Sequence, residues 1–227
     1  MDLSQRLLKI EEMIPQCSCL ADVGTDHAYI PILTVERGKC IRALATDINK
    51  GPVMKADKNI REHCLQDRIE TRLGPGLSVL NEGEAETVVI AGMGGNMISD
   101  ILTQDLQKAR SVKTLILQPM KHQDVLREAL SRLGFRIIDE ELVREDRRFY
   151  HIIKASSGTG DVYKKRSDYL LGLRLIEKRH PLLQDYIAYY KGQLHKVLSR
   201  IDSKEQKDRY EEITSLIYEL EEVEKWL

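Results

Sequence analysis

The chain is 227 residues long, with 35 Lys and Arg against 36 Asp and Glu and a formal net charge of −1. That length suits one α/β domain with a smaller appendage, and the balanced charge excludes a global basic field, so a nucleic-acid partner would have to be met by a local patch. The opening Met-Asp-Leu-Ser-Gln-Arg-Leu-Leu-Lys-Ile carries charge throughout and no long apolar run, which argues against a signal peptide or membrane anchor and points to the cytoplasm.

Leu3, Leu7, Ile10 and Ile14 recur at helical spacing up to Pro15, predicting a first helix packed beside the first strand. Residues 19–23 read as a short buried strand that runs into Asp22-Val-Gly-Thr-Asp-His27 and then a helix over 29–37. A strand, a glycine turn and a helix open a βαβ unit, and at such a turn the backbone can approach a ligand closely. Two carboxylates and an imidazole within six residues are costly at the mouth of a core strand unless something uses them. The bland alternatives are that Asp22 and Asp26 cap the helix and that His27 is a helix-start residue bonded to backbone. A second strand over 40–46 closes on Asp47, followed by a helix over 52–63 with Asn49 at its N-cap and Pro52 in its first turn. A third strand covers 68–73 and meets Gly-Pro-Gly at 74–76. The β-branched, uncharged run at 87–91 predicts a fourth strand, buried on both faces. Gly-Met-Gly-Gly at 92–95 and a helix over 96–106 follow. A fifth strand over 114–117 ends on Gln118-Pro119, a helix spans 122–133, and strands at 135–143 and 150–155 pair antiparallel across a charged turn at 144–148. Cys17, Cys19, Cys40 and Cys64 form no C-x-x-C pair, so they read as buried free thiols and no metal site is expected.

Strands alternating with helices predict a parallel sheet covered on both faces, and the terminal antiparallel hairpin fits the seven-stranded, Rossmann-like class I methyltransferase fold. Ser-Ser-Gly-Thr-Gly at 156–160 reads as a linker, which divides the chain into a methyltransferase domain at 1–156 and a C-terminal domain at 161–227. In the latter, Ile187, Tyr190, Leu194, Val197 and Ile201, then Tyr210, Ile213, Ile217 and Leu220, alternate steps of three and four on either side of Asp202-Ser203-Lys204. That pattern predicts two long helices in an antiparallel coiled-coil hairpin.

Asp47 follows Asp22 by 25 residues, close to the spacing at which α/β folds place a ribose-binding carboxylate. The first turn lacks the G-x-G-x-x-G that accommodates a pyrophosphate, and Asp26 there would repel phosphate. An acidic turn instead suits the cationic amino group of S-adenosylmethionine. The Asn/Asp-Pro-Pro-Tyr/Phe of enzymes that methylate exocyclic amines is absent at 91–95. A flexible glycine-rich helix entry is the bland alternative there.

D-V-G-T-D-H-A-Y-I-P at 22–31, T-D-I-N at 46–49, G-P-G-L at 74–77, I-A-G-M-G-G at 90–95 and L-Q-P-M at 117–120 together resemble the bacterial tRNA (adenine-N1)-methyltransferases acting at position 22 of tRNA. The resemblance extends to the helical hairpin and covers nearly the whole chain. It implies S-adenosylmethionine as donor, tRNA as substrate, and a hairpin that helps hold the tRNA. Asp22 and Gly24 would then line the donor site, Asp47 would bind ribose, and Ile48, Gly76 and Leu77 would flank the adenine. Ala91, Gly92 and Met93 would face the methionine end. Asp26 and His27 would handle the target adenine, with Gln118 and Pro119 lining its pocket. Uneven charge marks Lys164, Lys165, Arg166 and Lys191 in the tail, and Arg147 and Arg148 in the strand hairpin, as phosphate contacts; the alternative for each is a solvated surface with ion pairs. Two rival functions remain: an inactive Rossmann-like module that recruits a protein through its coiled coil, and a methyltransferase for another nucleic acid or a small molecule.

Overall fold

The computed structural model describes residues 3–160, 162–201 and 205–227. The first two residues of the opening segment, residue 161 at the start of the expected C-terminal domain, and the connection at 202–204 lie outside the described residues. The chain forms two compact units, Met1–Asp161 and Val162–Leu227.

In the first unit the strands are β1 (Cys17–Val23), β2 (Cys40–Asp47), β3 (Ile69–Leu73), β4 (Thr87–Met93), β5 (Thr114–Pro119), β6 (Phe135–Glu145) and β7 (Arg148–Ser157). They form one sheet in the order β3-β2-β1-β4-β5-β7-β6. Strands β1 to β5 are parallel, and β7 runs antiparallel to both β5 and β6. Side chains such as Leu20, Val89 and Ile116 are fully buried, as a sheet covered on both faces requires. The chain proceeds outward from β1 to β3, then returns to place β4 on the other side of β1. Strand order therefore reverses between β1 and β4, the place where open α/β sheets bind ligands.

The helices of this unit are α1 (Gln5–Met13), α2 (Tyr29–Glu36), α3 (Lys50–Glu62), α4 (Gly95–Gln104), α5 (Leu106–Ser111) and α6 (Gln123–Arg132). Four expectations need correction. Helix α1 packs on α2 and the β5–β7–β6 side of the sheet rather than beside β1, because Arg6 binds Glu145 and Gln118 there. The helix expected over 96–106 breaks at Asp105, and α5 begins afresh. Arg144 and Arg148 belong to the strands, leaving a turn of only two residues. Cys64 is exposed at the end of α3, whereas Cys17, Cys19 and Cys40 are buried free thiols.

The second unit contains α7 (Arg166–Leu171), α8 (Leu173–Glu177), α9 (Leu183–Leu198) and α10 (Lys207–Trp226). Asp168 turns its carboxylate back to accept the N–H groups of Lys164 and Lys165 and so starts α7. Helices α9 and α10 pack on each other, and Ile187 on α9 and Ile213, Ile217 and Leu220 on α10 are buried. The expected seam opens at Val197, 41% exposed, and Tyr210, 38% exposed, so it is closed along only part of its length. No helix among the described residues is long and apolar enough to cross a membrane.

Candidate active site

An open cavity of about 340 Å³ lies at the carboxyl ends of β1 and β4, lined among others by Asp22, Gly24, Asp26, His27, Ala91 and Gly92. The turn after β1 is anchored by the N–H groups of Gly24 and Thr25, both donating to the Thr46 carbonyl at the end of β2. Gly24 has φ +81°, and a Cβ there would stand 2.0 Å from Met93 Cε, so the turns after β1 and β4 touch. Neither Asp22 nor Asp26 caps α2. The cap is Ala28, whose N–H is taken by Thr25 Oγ1, and both carboxylates remain available to the cavity.

The two acids sit in different environments. Burial pushes the Asp22 carboxyl up to about 6; a hydrogen bond with Thr25 opposes the rise and the Asp47 charge adds to it. Asp26 is exposed, 3.2 Å from Lys55 Nζ and 3.2 Å from His27 Nε2. Asn59 on α3 donates to the His27 carbonyl at 3.0 Å and lies 3.4 Å from His27 Nδ1. With Nδ1 accepting, the ring proton sits on Nε2, toward Asp26. The imidazole stacks on Tyr29, with centroids 5.0 Å apart and planes 9° apart. The His27 ring is thus held by side chains of α2 and α3, not by backbone.

The turns after β4 and β5 are joined by main-chain bonds: Met120 N donates to Met93 O, and Gly95 N to Lys121 O. A Cβ on Gly95 would stand 2.0 Å from the His122 carbonyl oxygen, so this approach demands glycine. Gln118 and Pro119 reach this edge but are buried. Gln118 Oε1 accepts from Arg6 Nη1 at 2.6 Å and from Gly92 N at 3.2 Å, while its Nε2 donates to Pro119 O at 2.8 Å. Its amide is engaged within the protein, and what reaches the cavity from this side is Arg6.

At the neighbouring strand ends, one carboxylate oxygen of Asp47 accepts the Asn49 N–H at 2.7 Å, and Asn49, at the N-cap position of α3, makes no side-chain cap bond. Ile48 is 64% exposed, as an apolar surface awaiting a flat ligand would be. Gly76 lies partly open, whereas the Leu77 side chain is fully buried, so Leu77 can meet a ligand only through its backbone. These residues lie beyond the cavity lining, along the same edge.

Because β7 is antiparallel to β5, its start lies at the same sheet edge as the cavity. The turn joining β6 to β7 therefore presents exposed Arg147 and Arg148 on that edge. In the second unit Lys164 and Lys165 are exposed with no carboxylate within 4 Å of their ammonium groups among the described residues, whereas Arg166 pairs with Glu212 at 3.7 Å and Lys191 with Glu224 at 2.6 Å. No group of three His, Cys, Asp or Glu side chains among the described residues could hold a metal ion.

Arg6, Thr25, Tyr29, Lys55 and Asn59 escaped the sequence reading. A signal existed for three of them. Arg6 lies three residues after Leu3 and four before Ile10, a charge on the packed stripe of α1. Lys55 and Asn59 are spaced four apart on the helix that follows Asp47.

A methyltransferase-domain family profile matches residues 3–153. The chain is 38% identical to a tRNA (adenine(22)-N(1))-methyltransferase of Bacillus subtilis (strain 168) over 159 residues, covering 70% of this chain and 67% of the relative. The structure of Streptococcus pneumoniae Sp1610 in complex with S-adenosyl-L-methionine superposes with a TM-score of 0.88 at 32% identity, covering 98% of this chain and 100% of that one. An M. capricolum homologue in complex with S-adenosyl-homocysteine, its natural cofactor product, superposes with a TM-score of 0.86 at 28% identity, covering 98% of each chain.

Proposed function

The chain belongs to the tRNA (adenine(22)-N(1))-methyltransferase family, and from that premise we propose that it transfers the methyl group of S-adenosyl-L-methionine to N1 of adenine 22 in tRNA. The observation that carries the reading is the cavity at the β1/β4 reversal, where a buried acid, an exposed acid and a histidine converge. The reaction belongs in the cytoplasm, with tRNA.

The residues present fit the donor. The Gly24 backbone lines the cavity with no side chain of its own, Asp22 is a buried carboxylate with no cationic side chain within 4 Å among the described residues, and Asp47 keeps a carboxylate oxygen for ribose hydroxyls. When bound, the donor supplies a methyl group on a sulfonium, a strong leaving group. Asp22 faces the donor's ammonium, and the backbone of Ala91 and Gly92 with the Met93 side chain bounds the methionine end. Ile48, Gly76 and the Leu77 backbone flank the donor's adenine.

N1 of adenine already carries an in-plane lone pair, so the chain's main task is to hold N1 in line with the methyl group. The product ring is cationic, and the exposed Asp26 carboxylate is suited to stabilise that charge or to accept a proton from N6. His27, locked by Asn59 and Tyr29, presents Nε2–H beside Asp26 and bounds the target base. Gln118 and Pro119 shape that pocket from behind rather than touching the base. Arg147, Arg148, Lys164 and Lys165 supply phosphate contacts, with Arg166 and Lys191 exchanging their glutamate partners for phosphate; the exposed Arg166–Glu212 pair costs little to break, the part-buried Lys191–Glu224 pair more. The target adenine must leave its stack to be reached.

Purified protein, labelled S-adenosylmethionine and unmodified bulk tRNA test the reading. N1-methyladenosine among the digested nucleosides, only with enzyme, is expected. Donor binding without any methylated tRNA would move the search to other acceptors.

A further inference from the structure

Cys17 opens β1, Cys40 opens β2, and the two are register partners across this parallel pair. Partners in a parallel pair turn their side chains to one face, with neighbouring strands about 4.8 Å apart, inside the roughly 4.4–6.8 Å between Cα atoms that a disulfide spans. Here the two thiols are in contact, Sγ to Sγ at 2.7 Å. The other cysteines are placed differently: Cys19 has Arg42 as its register partner, and Cys64 is exposed at the end of α3. The two thiols of the pair are also unequal. The hydrogen bond with Cys40 pulls the Cys17 thiol down against the effect of burial, whereas the same bond, and burial with it, pushes the Cys40 thiol up. Cys40 is therefore the S–H donor and Cys17 carries the thiolate character, the form that reacts with oxidants. Cys17 is also the more accessible, 9% exposed against 1% for Cys40.

We propose that Cys17 and Cys40 are a modification site, where a hydroperoxide oxidant forms a reversible disulfide that braces the β1–α2–β2 unit. With hydrogen peroxide, the Cys17 sulfur attacks one oxygen, the O–O bond breaks, and the other oxygen leaves as water, giving a sulfenic acid. The Cys40 sulfur then displaces the sulfenic hydroxyl, which leaves as a second water with the Cys40 proton as the S–S bond forms. The two thiols together lose two electrons and two protons, and one peroxide is reduced to two waters. A dithiol reductant reverses the bond by exchange. In a reducing compartment such a bond is of the transient, redox-sensing kind. The paired cysteines are 23 residues apart, and the segment they close holds the turn from Asp22 to His27 and the whole of α2. The bridge thus restricts the unfolded freedom of the segment that carries the site, from the opposite ends of its strands. It depends on neither the donor nor the tRNA reading.

The full chain is treated with hydrogen peroxide, its remaining thiols are alkylated under denaturing conditions, and peptides digested without reductant are mapped by mass spectrometry. Thermal melts are recorded before oxidation, after it, and after dithiothreitol. The same series is run on Cys17→Ala and Cys40→Ala. In the wild type, the peptides of Cys17 and Cys40 should appear joined, lighter than their sum by two hydrogens, and should separate on reduction, while Cys19 is recovered alkylated. The melting temperature should rise by about 5 °C or more on oxidation and return on reduction, as closure of a loop of this length implies. Neither variant should show the joined peptide or the rise. Oxidation confined to Cys64, with Cys17 and Cys40 both recovered alkylated, would overturn the site. So would Cys17 carried on to a sulfinic acid with no link formed. A joined peptide with an unchanged or lowered melting temperature would overturn the brace. The peptide map is read on the wild type, so a variant that fails to fold leaves the test standing.

Discussion

Asp22 shows at the scale of one residue what a buried carboxylate costs the fold. Its folded carboxyl is raised from the ordinary value of 3.8 to about 6 by burial. Such a group adds stability that is fully present below the unfolded pKa, and that stability is lost as pH rises from about 3.8 through about 6. At neutral pH the ion-free fold therefore carries a buried charge at a cost of up to about 3 kcal/mol. Asp22→Asn should raise the melting temperature of the donor-free protein at pH 7 and abolish tight donor binding, a pairing read from melts and calorimetry on one sample. In the wild type, donor affinity should fall with acidification below about pH 6, and the asparagine variant should lose that slope. Asp26→Asn should behave in the opposite sense, sparing donor binding while lowering kcat strongly; unchanged turnover would remove Asp26 from the chemistry. The short-range part of this site was legible in the sequence because Asp22, Gly24, Asp26 and His27 lie within one turn. Arg6 and Gln118 are 112 residues apart, and no local pattern could announce their contact.

Elements carried their own signals unevenly. The β-branched run of β4 and the Asp-terminated β2 declared themselves through composition, and the antiparallel β6–β7 pair through its charged turn. The break between α4 and α5 did not, since Asp105 interrupts the helical backbone without glycine or proline to mark it. The short helices α7 and α8 are too brief to show a period. The packing of α1 was illegible for a topological reason: its partners are the last strands of the sheet, 100 residues and more along the chain. The β6–β7 turn offers an element-scale prediction. Arg147→Glu with Arg148→Glu should raise the KM for tRNA about tenfold or more, as loss of two phosphate contacts implies. Donor affinity and melting temperature should hardly change, because both side chains are exposed. An unaltered KM would show that the turn is only a solvated surface.

The whole molecule is nearly neutral, with a formal net charge of −1, so recognition of a polyanion has to be local. Each unit contributes exposed cations: Arg147 and Arg148 in the first, Lys164 and Lys165 in the second. Turnover on tRNA should therefore fall steeply with salt while donor binding does not, and each phosphate-binding cation removed should reduce the salt slope by about 1. A flat salt dependence would favour apolar recruitment through the helices of the second unit. The fold was readable at this scale because strand order follows from chain order in α/β units, whereas the manner in which the α9–α10 seam closes was not, since a three-and-four spacing does not say how far burial extends. The most direct measurement uses two tRNA transcripts that differ only at position 22, adenine in one and guanine in the other, incubated with enzyme and labelled donor and mapped by mass spectrometry of nuclease fragments. Methylation at N1 of residue 22 in the first transcript, and none in the second, is the predicted result. Label in both transcripts, or label elsewhere than position 22, would contradict the account.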